Sequence, residues 1–149
     1  MTVAFTGHRH LKHPTFWVYL KLLRTIKRLI EQGADTFLCG GALGFDTLAA
    51  RGVLYYRKRY PVQLRLIVPC KNQERYFTPE QRAEYARILA AADEVKILSE
   101  NYYRGCMHAR NRYMVEECTV LVAYCHDSTG GTAYTTDFAL KNQKPVIRL

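Results

Sequence analysis

The sequence has no apolar run approaching the ~20 residues that a membrane-spanning helix needs, so a partner membrane is not expected. It is also short of acid: 13 Asp and Glu stand against 22 Lys and Arg, a net charge of +9. No CxxC pair occurs, and five cysteines (Cys39, Cys70, Cys106, Cys118, Cys125) are an odd number, so neither a disulfide framework nor a zinc ribbon is indicated. Each is expected to serve as a small buried hydrophobe. No internal repeat, low-complexity stretch or linker interrupts the 149 residues, which suit a single domain over 1–149. The opening MTVAFTGHRH lacks the charged-then-apolar order of a signal peptide, and a cytoplasmic protein is expected.

What is present is a hydrophobic fraction of 48%, enough for a folded core rather than a disordered chain. The positive charge recurs at Lys21, Arg24, Lys27 and Arg28, and again at Arg57, Lys58 and Arg59. Such a surface attracts polyanions, which makes nucleic acid one partner class. The simpler reading, solvated helix faces and cations at a helix C-terminus, is preferred because these residues are not gathered on one face.

Strand-like runs alternate with helix-like segments from end to end. Strands are expected at Val3–Thr6, Thr36–Cys39, Gln63–Val68, Glu94–Leu98, Thr119–Tyr124 and Pro145–Arg148. Several are continuously apolar, as parallel strands covered on both faces are. Helices are expected near Pro14–Gln32, Phe45–Arg59, Pro79–Ala91, Gly105–Cys118 and Thr132–Lys141. Thr78-Pro79-Glu80-Gln81 spells a capping box with proline at the first helical position. In the first helix, Phe16, Tyr19, Leu20, Leu23, Ile26 and Ile30 share a helical spacing and form the expected apolar face, with Gly33 as the stop. The fold class is α/β: one Rossmann-like domain with a mostly parallel sheet and helices on both faces.

In such sheets ligands bind beyond the carboxyl ends of the strands. Three motifs fall there. Thr6-Gly7-His8-Arg9 follows the first strand: Gly7 permits a tight turn, and Arg9 can meet a phosphate with a planar fork of donors. His8, His10 and His13 invite a metal, but no nearby Asp, Glu or Cys completes a ligand set, and none is assigned. The second motif is Gly40-Gly41-Ala42-Leu43-Gly44-Phe45-Asp46, where glycines let backbone N–H groups approach an anion at a helix N-terminus. It is neither GxGxxG nor a Walker A loop, and Asp46 either caps the helix or accepts bonds from a ribose. The third is Gly130-Gly131-Thr132, opening the last helix, with Thr135, Thr136 and Asp137 beyond. Two glycine loops at adjacent strand ends favour a ligand site over ordinary turns. Arg110 and Asn111 can reach the same pocket, with Tyr102 or Tyr103 stacking on a base. The alternative leaves the tyrosines as surface packing and pairs Arg110 with Glu116 or Glu117.

On these residues the sequence resembles the SLOG superfamily, the SMF/DprA and LOG group of Rossmann-like domains, and within it the YpsA-like branch. The matching pieces are TGHR (Thr6–Arg9), GGALGFD (Gly40–Asp46), RNRYMVEECTVLVAY (Arg110–Tyr124) and GGT followed by Thr135. The resemblance implies a small phosphorylated nucleotide or nucleotide-derived ligand, with no cofactor required, and a homo-oligomer joined through helices. LOG-type relatives cleave the glycosidic bond of nucleoside monophosphates with an arginine and a glutamate in a GGxGTxxE pattern. Arg110 matches the arginine, whereas Thr135 stands in the glutamate's place, leaving Asp46 or Asp137 as substitutes. Binding or sensing is therefore the leading expectation. Phosphoribohydrolase-like cleavage, with Arg110 and Asp46 as catalytic candidates, is the first alternative. DprA relatives bind single-stranded DNA, which makes nucleic-acid binding the second.

Overall fold

The computed structural model describes all 149 residues. Six strands form one parallel sheet: β1 (Thr2–Gly7), β2 (Thr36–Cys39), β3 (Gln63–Val68), β4 (Glu94–Ile97), β5 (Val120–Tyr124) and β6 (Val146–Arg148). Their order is β4-β3-β2-β1-β5-β6, every neighbouring pair being parallel. The chain walks outward from β1 to β4, then returns to lay β5 against the other side of β1. That reversal makes the carboxyl ends of β1 and β5 the switch point where a crevice opens.

The strand sequences dictate two cores, because successive side chains point to opposite faces. Val3, Phe5, Phe37, Cys39, Leu64, Leu66, Val120 and Val122 point to one face and pack with α1 (Thr15–Glu31), α2 (Phe45–Arg57) and α3 (Pro79–Ala91). Ala4, Leu38, Ile67 and Leu121 point to the other and meet α4 (Cys106–Glu117) and α5 (Gly131–Lys141). Both faces are covered, which is why these strands are apolar throughout. The expected elements are all present, with ends that coincide or shift by at most two residues. A 3-10 turn at Gln73–Tyr76 is the one helical piece that hydrophobic periodicity did not announce.

The capping box of α3 forms as its sequence spells it: Thr78 Oγ1 accepts from the Gln81 amide at 3.2 Å, and the Thr78 amide donates to Gln81 Oε1 at 2.9 Å. Helix α1 corrects its expectation. Its buried residues are Val18, Leu22, Thr25, Ile26 and Leu29, while Phe16 is 73% exposed. Lys21, Arg24, Lys27, Arg28 and Glu31 share one side of α1, but the apolar half that remains is wider than the stripe that is buried, and here α2 decides which part of it faces inward. Gly52 of α2 leaves room for α1, since a Cβ there would lie 2.8 Å from Ile26 Cδ1. No helix is long and apolar enough to cross a membrane. All five cysteines are free; four are buried and Cys125 is half-buried.

Candidate functional site

The two glycine loops follow β2 and β5, which are not neighbours. β1 lies between them, so both loops flank the Thr6–Arg9 turn rather than each other. This corrects the expected adjacency and makes the β1 turn the centre of the site.

The β1 turn and the start of α2 clamp each other. The His8 carbonyl accepts from the Phe45 amide at 3.1 Å. A Cβ at Gly7 would lie 2.2 Å from the Phe45 ring, and one at Gly44 (φ +77°) would lie 2.2 Å from the Arg9 carbonyl oxygen. Phe45 stacks on Tyr124 with ring centroids 5.6 Å apart. Gly7 and Gly44 are thus glycines because chain passes close to chain, a requirement of packing rather than of ligand.

Gly40 lies beneath the side chains of Arg110 and Asp46: a Cβ there would meet Arg110 Nη1 at 2.4 Å and Asp46 Oδ2 at 2.9 Å. Arg110, on α4, is only 4% exposed. Its Nη1 donates to the Gly40 carbonyl at 2.5 Å and to the Ile67 carbonyl at 3.3 Å, and its Nε donates to Asn111 Oδ1 at 2.7 Å. Pairing with Glu116 or Glu117 does not occur; both are exposed on the last turn of α4, away from the buried guanidinium. Asp46 is buried too, and its Oδ2 accepts from the Ala42 amide at 3.2 Å. Burial pushes the Asp46 carboxyl up from its ordinary value against the opposing pull of Arg110, and burial pulls Arg110 down against Asp46. Gln73, a residue the sequence did not single out, adds a bond from Nε2 to the Gly40 carbonyl at 3.2 Å and one to Tyr85 Oη at 3.0 Å. Its position just past the end of β3 was the available signal, since loops there face the same crevice.

The second loop is built differently. Gly130 (φ +100°) precedes α5 with no capping side chain, and neither Gly130 nor Gly131 has an atom within 4 Å of where a Cβ would stand. Thr132 and Thr135 are buried, and the Thr135 hydroxyl donates to the Gly131 carbonyl at 2.7 Å. Thr135 is therefore committed to its own helix, and Asp137 is exposed and does not line the cavity. Of the two substitute carboxylates only Asp46 reaches it.

Between these parts lies a cavity of about 280 Å³, bounded by Arg9, Asp46, Arg110, Asn111 and the Gly130–Thr132 turn. Arg110 Nη2 and Asn111 Nδ2 make no bond within the protein, and Arg110 Nη2 retains solvent access. The uncapped start of α5 adds backbone N–H groups. The walls are rich in donors, with Asp46 and Asp127 as the carboxylates. His8 lines the cavity as well, and its Nε2 accepts from the His126 amide at 2.8 Å, tying the β1 turn to the loop before α5. Burial lowers its pKa from the ordinary 6.5.

Tyr102 lies in an adjoining depression of about 300 Å³ that shares Arg9 and Met107 with the cavity. There Arg75 stacks between Tyr76 and Tyr102, at 5.0 and 4.6 Å from the ring centroids. Tyr103 lines neither space. A larger depression of about 720 Å³ opens on the other side of Arg9, toward His10 and His13, and its Arg51 and Glu84 pair with each other.

Residues 6–146 match the model of the YspA SLOG family. This chain belongs to that family. A UPF0398 protein of Halalkalibacterium halodurans is 34% identical to this SLOG chain, over 80% of it and 65% of the relative. The SPbeta prophage-derived protein YoqJ of Bacillus subtilis is 30% identical, over 88% of the chain and 85% of the relative. Among solved structures, DNA processing protein A from Helicobacter pylori, described for its single-stranded DNA binding mode, superposes with a TM-score of 0.72 at 22% identity. That match covers 99% of the SLOG chain and 64% of the solved one, and at this identity it concerns the fold. The chain thus spans about two thirds of the length of both the UPF0398 relative and the solved structure.

Proposed function

We propose that this SLOG-family chain binds a nucleotide or a nucleotide-derived phosphorylated ligand in the cavity at the carboxyl ends of β1, β2 and β5. The observation that carries this reading is the set of unspent donors converging there: Arg9, Arg110 Nη2, Asn111 Nδ2 and the uncapped N-terminus of α5. Unspent donors around a small space call for a ligand rich in acceptors, and a phosphate at a helix N-terminus is the best-matched such group. The phosphate is assigned to the Gly130–Thr132 turn with Arg9, the ribose to Asp46 and Asn111, and the base to the side where Met107 leads to Tyr102. Binding is preferred to cleavage because Thr135 offers no carboxylate where such a hydrolase would need one, and the one carboxylate that could replace it, Asp46, already accepts the Ala42 amide proton beside Arg110.

Calorimetry and thermal-shift titration with nucleoside mono- and diphosphates, ADP-ribose-type compounds and dinucleotides test the reading. At least one is expected to stabilise the chain, and Arg9→Ala to weaken that ligand by about tenfold or more, the scale of a lost charge-assisted bond. No stabilisation anywhere in the panel would overturn it.

A second reading, binding of single-stranded nucleic acid, is favoured by the Arg75–Tyr102 stack beside the cavity and by the +9 charge. It predicts oligonucleotide affinity that falls steeply with salt and drops on Tyr102→Ala.

A further inference from the structure

Side chains tie the segment after β1, His8–His13, to the end of β5 and the loop beyond it, Tyr124–Asp127. The Lys12 amide donates to Tyr124 Oη at 3.1 Å, and Lys12 Nζ pairs with Asp127. Two further ties end on imidazole nitrogens: His8 Nε2 lies 2.8 Å from the His126 amide nitrogen, and His13 Nδ1 lies 2.6 Å from Tyr124 Oη. The two segments carry the two halves of the site. Arg9 lies in the first, and the Gly130–Thr132 turn follows the second.

Each imidazole tie needs a ring nitrogen without a proton. An amide N–H can only donate, so His8 Nε2 accepts and the His8 proton stands on Nδ1. Tyr124 is buried, its oxygen already accepts from the Lys12 amide, and no other acceptor takes its hydroxyl proton, so it donates to His13 Nδ1. His8 and His13 are therefore opposite tautomers, and an imidazolium at either place sets donor against donor. The exposed ring of His126 brings a third titrating group, 5.0 Å from the His13 ring and 6.4 Å from the His8 ring. All three pack about the Tyr124 ring, with centroids at 5.7, 5.8 and 4.7 Å for His8, His13 and His126.

The surrounding charges oppose a proton here. Asp127 Oδ2 is 3.9 Å from His8 Nδ1, but that carboxylate is paired with Lys12. In the cavity His8 also faces Arg9, Arg110 and Asp46, the last set against Arg110. His13 borders the larger depression with Arg9, His10 and Arg51, where Glu84 is spent on Arg51 and Arg87 and Glu80 of α3 has no ion pair. On α1, Trp17 stands 5.0 Å from the His13 ring, with Lys21 over its face at 4.1 Å. Burial itself disfavours the charged form of His8.

We propose that His8, His13 and His126 form a proton-sensitive clasp, which holds the two halves of the site together at neutral pH and loosens in mild acid, placing anion binding under pH control. Control of binding rests on the function proposed above, whereas the clasp is a property of the free chain. NMR of the free chain at about pH 7.5 and about pH 5.5, on either side of the ordinary histidine value, tests it. At the higher pH the ring nitrogen shifts are expected to place the His8 proton on Nδ1 and the His13 proton on Nε2. On acidification, protection of the His126 amide, corrected for the intrinsic pH dependence of exchange, is expected to fall about fivefold or more, the scale of one lost bond. In the double variant His8→Gln, His13→Asn, amide oxygens that do not titrate replace the accepting nitrogens, and protection is expected to hold at both pH values. Melts at the higher pH check that it is folded; should it not fold, His13→Asn alone is expected to reduce the loss about twofold. Sulfate, which does not titrate in this range, is the anion probe, against chloride at equal ionic strength. Relative to the double variant, the wild type is expected to lose sulfate stabilisation as pH falls. Sulfate without effect at either pH counts against the ligand reading, and amide exchange then decides the clasp. Unchanged His126 protection in acid, one shared tautomer for His8 and His13, an undiminished loss in the variants, or a relative gain of sulfate stabilisation in acid would each overturn the proposal.

Discussion

The two glycine-rich loops look alike as sequence and do opposite things as structure. The Gly40–Gly44 loop is full: Arg110 and Asp46 lie against Gly40, Gln73 bonds its carbonyl, and the Arg9 backbone passes over Gly44. The Gly130–Gly131 loop is empty, with nothing within 4 Å of either missing side chain. Glycine at the first loop lets the protein pack against itself, whereas glycine at the second leaves backbone N–H groups accessible. The closed loop holds the floor of the site in place, and the open loop offers the donors that a ligand would use. A glycine motif alone does not distinguish these uses, because both need a residue without a side chain.

Substitutions that treat the two loops alike sharpen this contrast. The largest effect is expected from Arg110→Ala, which strips the Gly40 and Ile67 carbonyls of a donor and leaves Asp46 buried without its cation. A loss of about 3–5 kcal/mol is expected in denaturant unfolding. Gly44→Ala comes next, at about 2–3 kcal/mol, because the new methyl meets backbone at a positive φ that alanine resists. Gly131→Ala changes stability by no more than about 0.5 kcal/mol, having nothing to strike. Its cost is expected in ligand affinity instead, read by calorimetry at constant melting temperature. The contrast fails if Gly131→Ala unfolds the chain as badly as Gly44→Ala.

The smallest effect is one of pH. Neutral His8 accepts the His126 amide proton and so ties the open loop to the β1 turn. The unfolded chain protonates this histidine near its ordinary 6.5, the folded chain only at lower pH. Between those values the unfolded state binds more protons, so the His8 contribution to stability is expected to fall as pH drops below about 6.5. Replacing His8 by Gln should flatten that slope in melts taken across pH 5 to 7 (the histidine range); an unchanged slope would assign it to other histidines.

Much of the fold was legible because its signals are local. Continuous apolar strands, the Thr78 capping box and Gly33 each announce their element through neighbours a few residues away. The site was legible in part: Arg9, Asp46, Arg110, Asn111 and Gly130–Thr132 do surround one cavity. Tyr103 does not reach it, and neither Gln73 nor Arg75 could be found from a motif. The inward face of α1 was misread for a similar reason. Phe16 is as apolar as Val18, and only the approach of α2 at Gly52 chooses between their faces.

By itself, then, the sequence determined an alternating α/β chain, its glycine turns at strand ends and its place in the SLOG family. These rest on periodicity and on short-range order, which survive without knowledge of the partner elements. Only the tertiary structure decided that β1 separates the two loops, that Arg110 fills one and not the other, and that His8 and His13 meet Tyr124 and His126. Those facts depend on contacts between residues far apart in the chain, such as Arg110 with Gly40, and strand order is set by which surfaces pack together rather than by any one segment.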